Sequence, residues 1–251
     1  MKKIALLLVF LLSFQSFIRA NSNLAVSEDD FKPFTFGLKI VPSLSFLNTE
    51  AKQYENGKTR LNFGYGLVAV YSFAPNYGLL TGLEINDNSG NLNYGDNIFY
   101  MLEDTGKFYL SSRRYSVRYL NFPLALKLKT NEIGYIKYYG QFGVDAGFRL
   151  KARALDEGME MGASIPTSIE NVVVDEEVRL MRLGLNIGLG MTYNLAGATS
   201  LLVGLNYNNG FTNMLRKESK QLFLEKNDNE VKRLEQEATN SYVTLTIGIL
   251  F

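Results

Sequence analysis

Apolar and polar residues alternate along most of this chain with a period of two. In the stretch FTFGLKIVPSLSF, Phe34, Phe36, Leu38, Ile40, Pro42, Leu44 and Phe46 fall on one side, and Thr35, Gly37, Lys39, Val41, Ser43 and Ser45 on the other. A run of this kind is a β-strand with two chemically different faces. The alternation returns around Leu67, Leu83, Leu126, Val144, Ile187, Leu205 and Ile247, which predicts eight strands. In the fourth, YSVRYLNFPLALKLK, the apolar positions change parity: Tyr115, Val117 and Tyr119 are odd, whereas Leu120, Phe122, Leu124, Leu126 and Leu128 are even. A β-bulge near Tyr119 or Leu120 would keep both sets on one face. Pro123, which has no N–H to give a ladder, fits an irregularity there.

The connections carry a second pattern. Strands two to three, four to five and six to seven are joined by the tight turns APNYG, TNEIG and NLAGAT. The other connections, roughly 48–59, 87–114, 155–177 and 212–239, are long and polar. Within the last, NEVKRLEQEA reads as a solvated charged segment with fraying helicity, because its apolar positions are few. Outer-membrane barrels have this asymmetry, with short periplasmic turns and longer outer loops.

The apolar face can point outward into lipid or inward around a lipocalin-like soluble core. Glycine decides between them. More than half of the 22 glycines lie on the mixed polar face, Gly64, Gly66, Gly143, Gly188 and Gly190 among them. A solvent-facing strand has no use for glycine, whereas the interior of an eight-stranded barrel is barely wide enough for side chains. Aromatic residues also collect at the ends of the apolar face. Phe34, Phe36, Phe73, Tyr138, Tyr193 and Phe251 lie toward one rim, and Phe46, Tyr115, Tyr119, Phe148 and Tyr207 toward the other. Two girdles around an aliphatic band suit a membrane barrel. The expected fold is therefore all-β: an eight-stranded antiparallel transmembrane β-barrel over residues 34–251, with short periplasmic turns and long extracellular loops. A closed barrel pairs its last strand with its first, which accounts for the ending SYVTLTIGILF. Phe251 there resembles the terminal aromatic that barrel assembly machinery reads as a sorting signal.

The N-terminus, MKKIALLLVFLLSFQSFIRA, has a basic start at Lys2 and Lys3, an apolar run over residues 4–12 and a small-residue cleavage pattern ending at Ala20. This predicts an export signal at 1–20, followed by a periplasmic linker at 21–33. Removing Lys2, Lys3 and Arg19 from 26 bases leaves 23 against 25 acids, a net charge of −2 that gives nucleic acid no basic footprint. There is no cysteine, which excludes disulfides, a lipid-anchoring thiol and thiolate metal sites. There is no histidine either, the usual base for a serine or water nucleophile at neutral pH, so a non-enzymatic protein without cofactor is expected. Asp175, Glu176 and Glu177 lack the spacing of a calcium loop and read as solvated loop charge.

Charges nevertheless fall on the inward face: Lys39, Glu84, Arg118, Lys127, Lys137, Asp145, Arg149 and Arg182, with Arg118 depending on the proposed bulge. They suit either an anion-favouring pore or ligand site, or a polar network that fills the lumen. The narrowness of eight strands favours the network. At the outer end, Arg149, Lys151 and Arg153 share one parity and are candidates for contact with lipopolysaccharide phosphates.

The segments RYLNFPLALKLK, KYYGQFGVDAGFRLKA, GLNYNNGFTN and TLTIGILF together resemble the PorT-like outer-membrane β-barrel family of the Bacteroidetes. The resemblance covers roughly residues 34–251 and leaves the long loops unmatched. It implies a Gram-negative outer membrane, with outer-membrane lipid and the barrel assembly machinery as partners. It also implies a candidate protein partner at the extracellular loops, in a role allied to secretion. The other reading of function is a narrow channel or small-ligand barrel.

Overall fold

Eight strands close into a ring. The computed structural model describes residues 33–50, 53–95, 98–102, 106–224 and 231–251; the expected export signal and all but the last residue of the linker lie outside these. The strands are β1 Phe34–Ile40, β2 Ser43–Asn48, β3 Tyr54–Asn56, β4 Arg60–Asn62, β5 Gly64–Ala74, β6 Tyr77–Tyr94, β7 Ile98–Leu102 and β8 Gly106–Lys129. They continue as β9 Ile136–Glu160, β10 Thr167–Val173, β11 Met181–Ala196, β12 Thr199–Gly210, β13 Glu218–Leu224, β14 Val231–Glu235 and β15 Thr239–Leu250. The ring runs β1-β5-β6-β8-β9-β11-β12-β15 and returns to β1, antiparallel at every step. Gly37 to Ile40 face Leu250 to Ile247 across the closing seam, and Phe36 and Phe251 exchange backbone hydrogen bonds of 3.2 and 2.7 Å. No free edge is left at the last strand.

The aliphatic face points outward. Leu38, Leu67, Leu83, Leu124, Ile187 and Leu205 are all exposed, an arrangement stable only against hydrocarbon. At the rim with the short turns, Phe34 stacks near Tyr71 at 4.8 Å between centroids and Tyr135 near Tyr193 at 6.4 Å. At the opposite rim Phe122 meets Phe148 edge-on at 5.8 Å. The inward face is packed. Tyr139 lies across the lumen because Gly190 and Gly204 carry no Cβ; a methyl at either position would overlap its ring or hydroxyl. Lys127 lies over the face of that ring at 3.8 Å.

Two expectations need correction. The parity change in β8 is not a bulge in that strand. Odd positions point inward from Arg113 through Lys127, so Tyr115 and Tyr119 are buried in the barrel and are not part of an outer girdle. Arg118 consequently points outward with 52% of its side chain exposed, bound to Asp87, and does not belong to the lumen. The register slip falls in the neighbouring strand: Arg118 pairs with Lys151 and Tyr119 with Arg149, leaving Leu150 as the extra residue in β9. The inward parity of β9 therefore changes from odd (Asp145, Gly147) to even (Ala152, Ala154, Asp156).

The long connections are also largely sheet. β6, β8 and β9 run well past the apolar belt, and β3, β7, β10, β13 and β14 pair onto them or onto one another. Val231–Glu235, expected as a solvated segment with some helicity, is a strand paired with β13. Inside this upper wall lies an apolar core that includes Leu92, Phe108, Tyr115, Val117, Met214 and Leu215.

Candidate functional site

Two polar assemblies occupy the barrel axis, one above the other. In the membrane-level lumen, Lys39 from β1 forms an ion pair with Glu84 from β6, and Asn86 donates to the same carboxylate. Across from them Arg182 of β11 donates to Asp145 of β9 at 2.8 Å, and the Tyr242 hydroxyl donates to the same oxygen at 2.9 Å. An amide ladder continues around the wall. Gln141 donates to Asn186 at 3.0 Å, Asn186 to Asn208 at 2.9 Å, and Asn206 to Thr246 at 2.9 Å. A cavity of about 20 Å³ lies between these side chains, bounded by Lys39, Glu84, Asp145, Asn186 and Tyr242. That holds about one water molecule.

The other inward candidates are spread out. Arg149 sits at the top of the lumen and is bound to Asp175 at 2.8 Å, a carboxylate that also takes Arg153 at 3.1 Å and the Ala152 N–H at 2.8 Å. Partial burial alone would raise the Asp175 carboxyl; the Ala152 N–H and the two guanidinium groups outweigh that and hold it below the usual range. Lys137 lies at the short-turn mouth, paired with Glu132 at 3.1 Å. Lys151 points outward and is exposed. Phe251 is exposed on the outer face of the short-turn rim.

The upper assembly was not singled out from the sequence. Arg113 on β8 grips both oxygens of Asp156 on β9, each at 2.6 Å, and donates to Glu177 at 2.8 Å. The Tyr100 hydroxyl donates to Asp156 at 2.9 Å, and burial raises its pKa so that the proton stays on the phenol. Gln221 reaches Glu177 at 3.4 Å, Gln236 reaches Gln221 at 2.6 Å, and Gln236 also donates to Tyr115 at 3.2 Å. Side chains from all but the first of the long connections meet in this knot. Asp175 and Glu177 are thus engaged partners and not solvated loop charge; of the three, only Glu176 is largely exposed, at 82% of its side chain, and it pairs with the exposed Lys220 at 3.4 Å. The missed signal was the odd parity of Arg113 with Tyr115, Val117 and Tyr119, which sets all four on one face.

Among the described residues no group of three or more acidic side chains is placed to hold a metal ion. Among the described residues no helix is long and apolar enough to cross a membrane.

No curated protein matches the chain. Among solved structures it resembles OprG from Pseudomonas aeruginosa at 13% identity and a TM-score of 0.43, covering 87% of this chain and 95% of that one. It also resembles the Neisserial surface protein A at 11% identity and a TM-score of 0.41, covering 86% and 95%. The attachment invasion locus protein Ail of Yersinia pestis aligns at 13% identity and a TM-score of 0.38, covering 88% and 100%. The model of the outer membrane protein beta-barrel domain matches residues 15–216, and with a closed ring whose lipid-compatible face points outward, the chain belongs to that family and resides in the outer membrane.

Proposed function

We propose that this protein is a closed, non-enzymatic outer-membrane barrel whose upper wall presents a rigid surface to a protein partner outside the cell. The observation that carries this is the occupancy of the axis. A space for about one water in the lumen, topped by the Arg113 knot and an apolar core, offers solutes no path. The described parts of the long connections, paired as sheet, are ordered before any partner arrives, which lowers the entropic cost of binding. Short turns at the other rim support placing that rim in the periplasm, after an export signal at 1–20 and a linker at 21–33. Within the barrel family, the PorT-like motifs support a Bacteroidetes-type member allied to protein secretion.

Conductance in planar bilayers tests the closed state. The purified protein is expected to give no ion-sized steps, and reproducible unit conductance would restore the channel reading. Comparing the surface and secreted proteomes of a deletion strain tests the link to secretion, with selective loss of particular exported proteins expected.

A further inference from the structure

Just above the apolar belt, on the outer wall, a groove of about 530 Å³ opens sideways between β4, β6, β8 and β9. Its base-bearing side is Arg118, Lys151 and Arg153; Asp87 is its one acid, and Leu61 and Phe63 form its apolar floor. Directly beneath it on the same outward faces come Leu120, Phe122 and Leu124 of β8 and Phe148 of β9. The groove therefore sits where a bilayer changes from acyl chain to headgroup. Arg118 is fixed by two hydrogen bonds to Asp87 at 2.7 and 2.9 Å, and Arg153 by Asp175, so both forks are held in place. Lys151 has no carboxylate partner among the described residues.

A second groove of about 510 Å³ lies in another sector, lined by Arg179, Leu180, Arg216 and Lys217, of which Lys217 reaches the exposed Glu237 at 3.7 Å. It borders the outward Met181 and Leu183 at the start of β11, where the Leu180 carbonyl accepts from the Arg149 N–H of β9 at 2.8 Å. Two basic grooves, each bordering the apolar belt, form an interrupted positive collar around a chain that carries almost equal numbers of acids and bases.

We propose that this collar binds the phosphate groups of an outer-leaflet glycolipid of the lipid A type, with Lys151 as the principal unpartnered base. Arginine forks and a lysine in one groove suit a phosphate, and the apolar floor suits the first methylenes of an acyl chain. A soluble anion would find the same bases but leave Leu61 and Phe63 uncovered, so the lipid is the better fit. The orientation of the barrel comes from the reading above, but the binding itself does not depend on it.

The test is direct binding of diphosphorylated lipid A to purified full-length protein in detergent. Native protein should bind saturably, and each neutralised base should weaken affinity about fivefold, as in Lys151→Gln and Lys217→Gln. Dephosphorylated lipid A should bind more weakly than the diphosphorylated form. Heat-shifted gel migration confirms that each variant remains folded. Unchanged affinity in both variants, equal affinity for dephosphorylated lipid A, or full competition by inorganic phosphate would each overturn the proposal. Because detergent carries no sidedness, surface labelling of the long connections in cells tests orientation separately.

Discussion

Asp145 is 3% exposed and accepts from both Arg182 and Tyr242, so removing it strands a guanidinium in a lumen with little room for water. Breaking a buried pair from one side costs about 3–5 kcal/mol. Asp145→Ala is expected to lower the melting temperature in detergent, and adding Arg182→Met should recover much of the loss, since the charge left behind is then gone. Glu177 reverses a sequence-based expectation. As solvated loop charge its replacement by alanine would be neutral; as an acceptor for Arg113 inside the cap, Glu177→Ala should cost about 1–3 kcal/mol. A melting temperature equal to the parent's would argue that the knot adds nothing. The inward phase of Asp145 and Arg182 can be read from alternation in a polar lumen. Tyr242 has the inward phase as well, but its pairing with them cannot be read, because it arrives from a strand 60 residues beyond Arg182.

At the scale of single strands, β8 explains what the sequence concealed. From Arg113 to Lys127 its backbone keeps one facing, yet its apolar residues change parity at Tyr119 and Leu120. The surroundings change, not the strand. Below that point hydrocarbon lies outside and a polar lumen inside; above it water lies outside and an apolar core inside. Hydrophobic pattern reports which side is dry, and reading it as facing holds only while that side stays the same. The strand count and the β15–β1 seam were legible because the membrane imposes one rule on all eight strands. Strands such as β10 and β14 were not, since each folds back on the strand before it, β9 or β13, beyond the membrane's reach, and their charged residues face water. At the seam, the Phe251 ring adds to a short pairing of β1 with β15. Phe251→Ser is expected to reduce the assembled barrel in the outer membrane several-fold more than it reduces synthesis, measured by comparing heat-shifted with total protein; equal ratios would make the ring ordinary girdle packing.

A barrel closed on all eight seams, with ion pairs inside its lumen and a packed cap, should resist detergent without heat. The purified protein is expected to migrate differently on SDS gels before and after boiling, and identical mobility would contradict the ring. The same closure bears on stature. β8 and β9 hold 24 and 25 residues, whereas a tilted strand crosses the hydrocarbon in about 9–11. At strand rise and barrel tilt, the remainder extends roughly 35 Å beyond the hydrocarbon. Facing repeats every two residues, so deleting two from each strand of an adjoining pair would shorten this tower while leaving every remaining side chain on its own side. Height is thus adjustable in small even steps, independently of what the lower barrel does in the membrane.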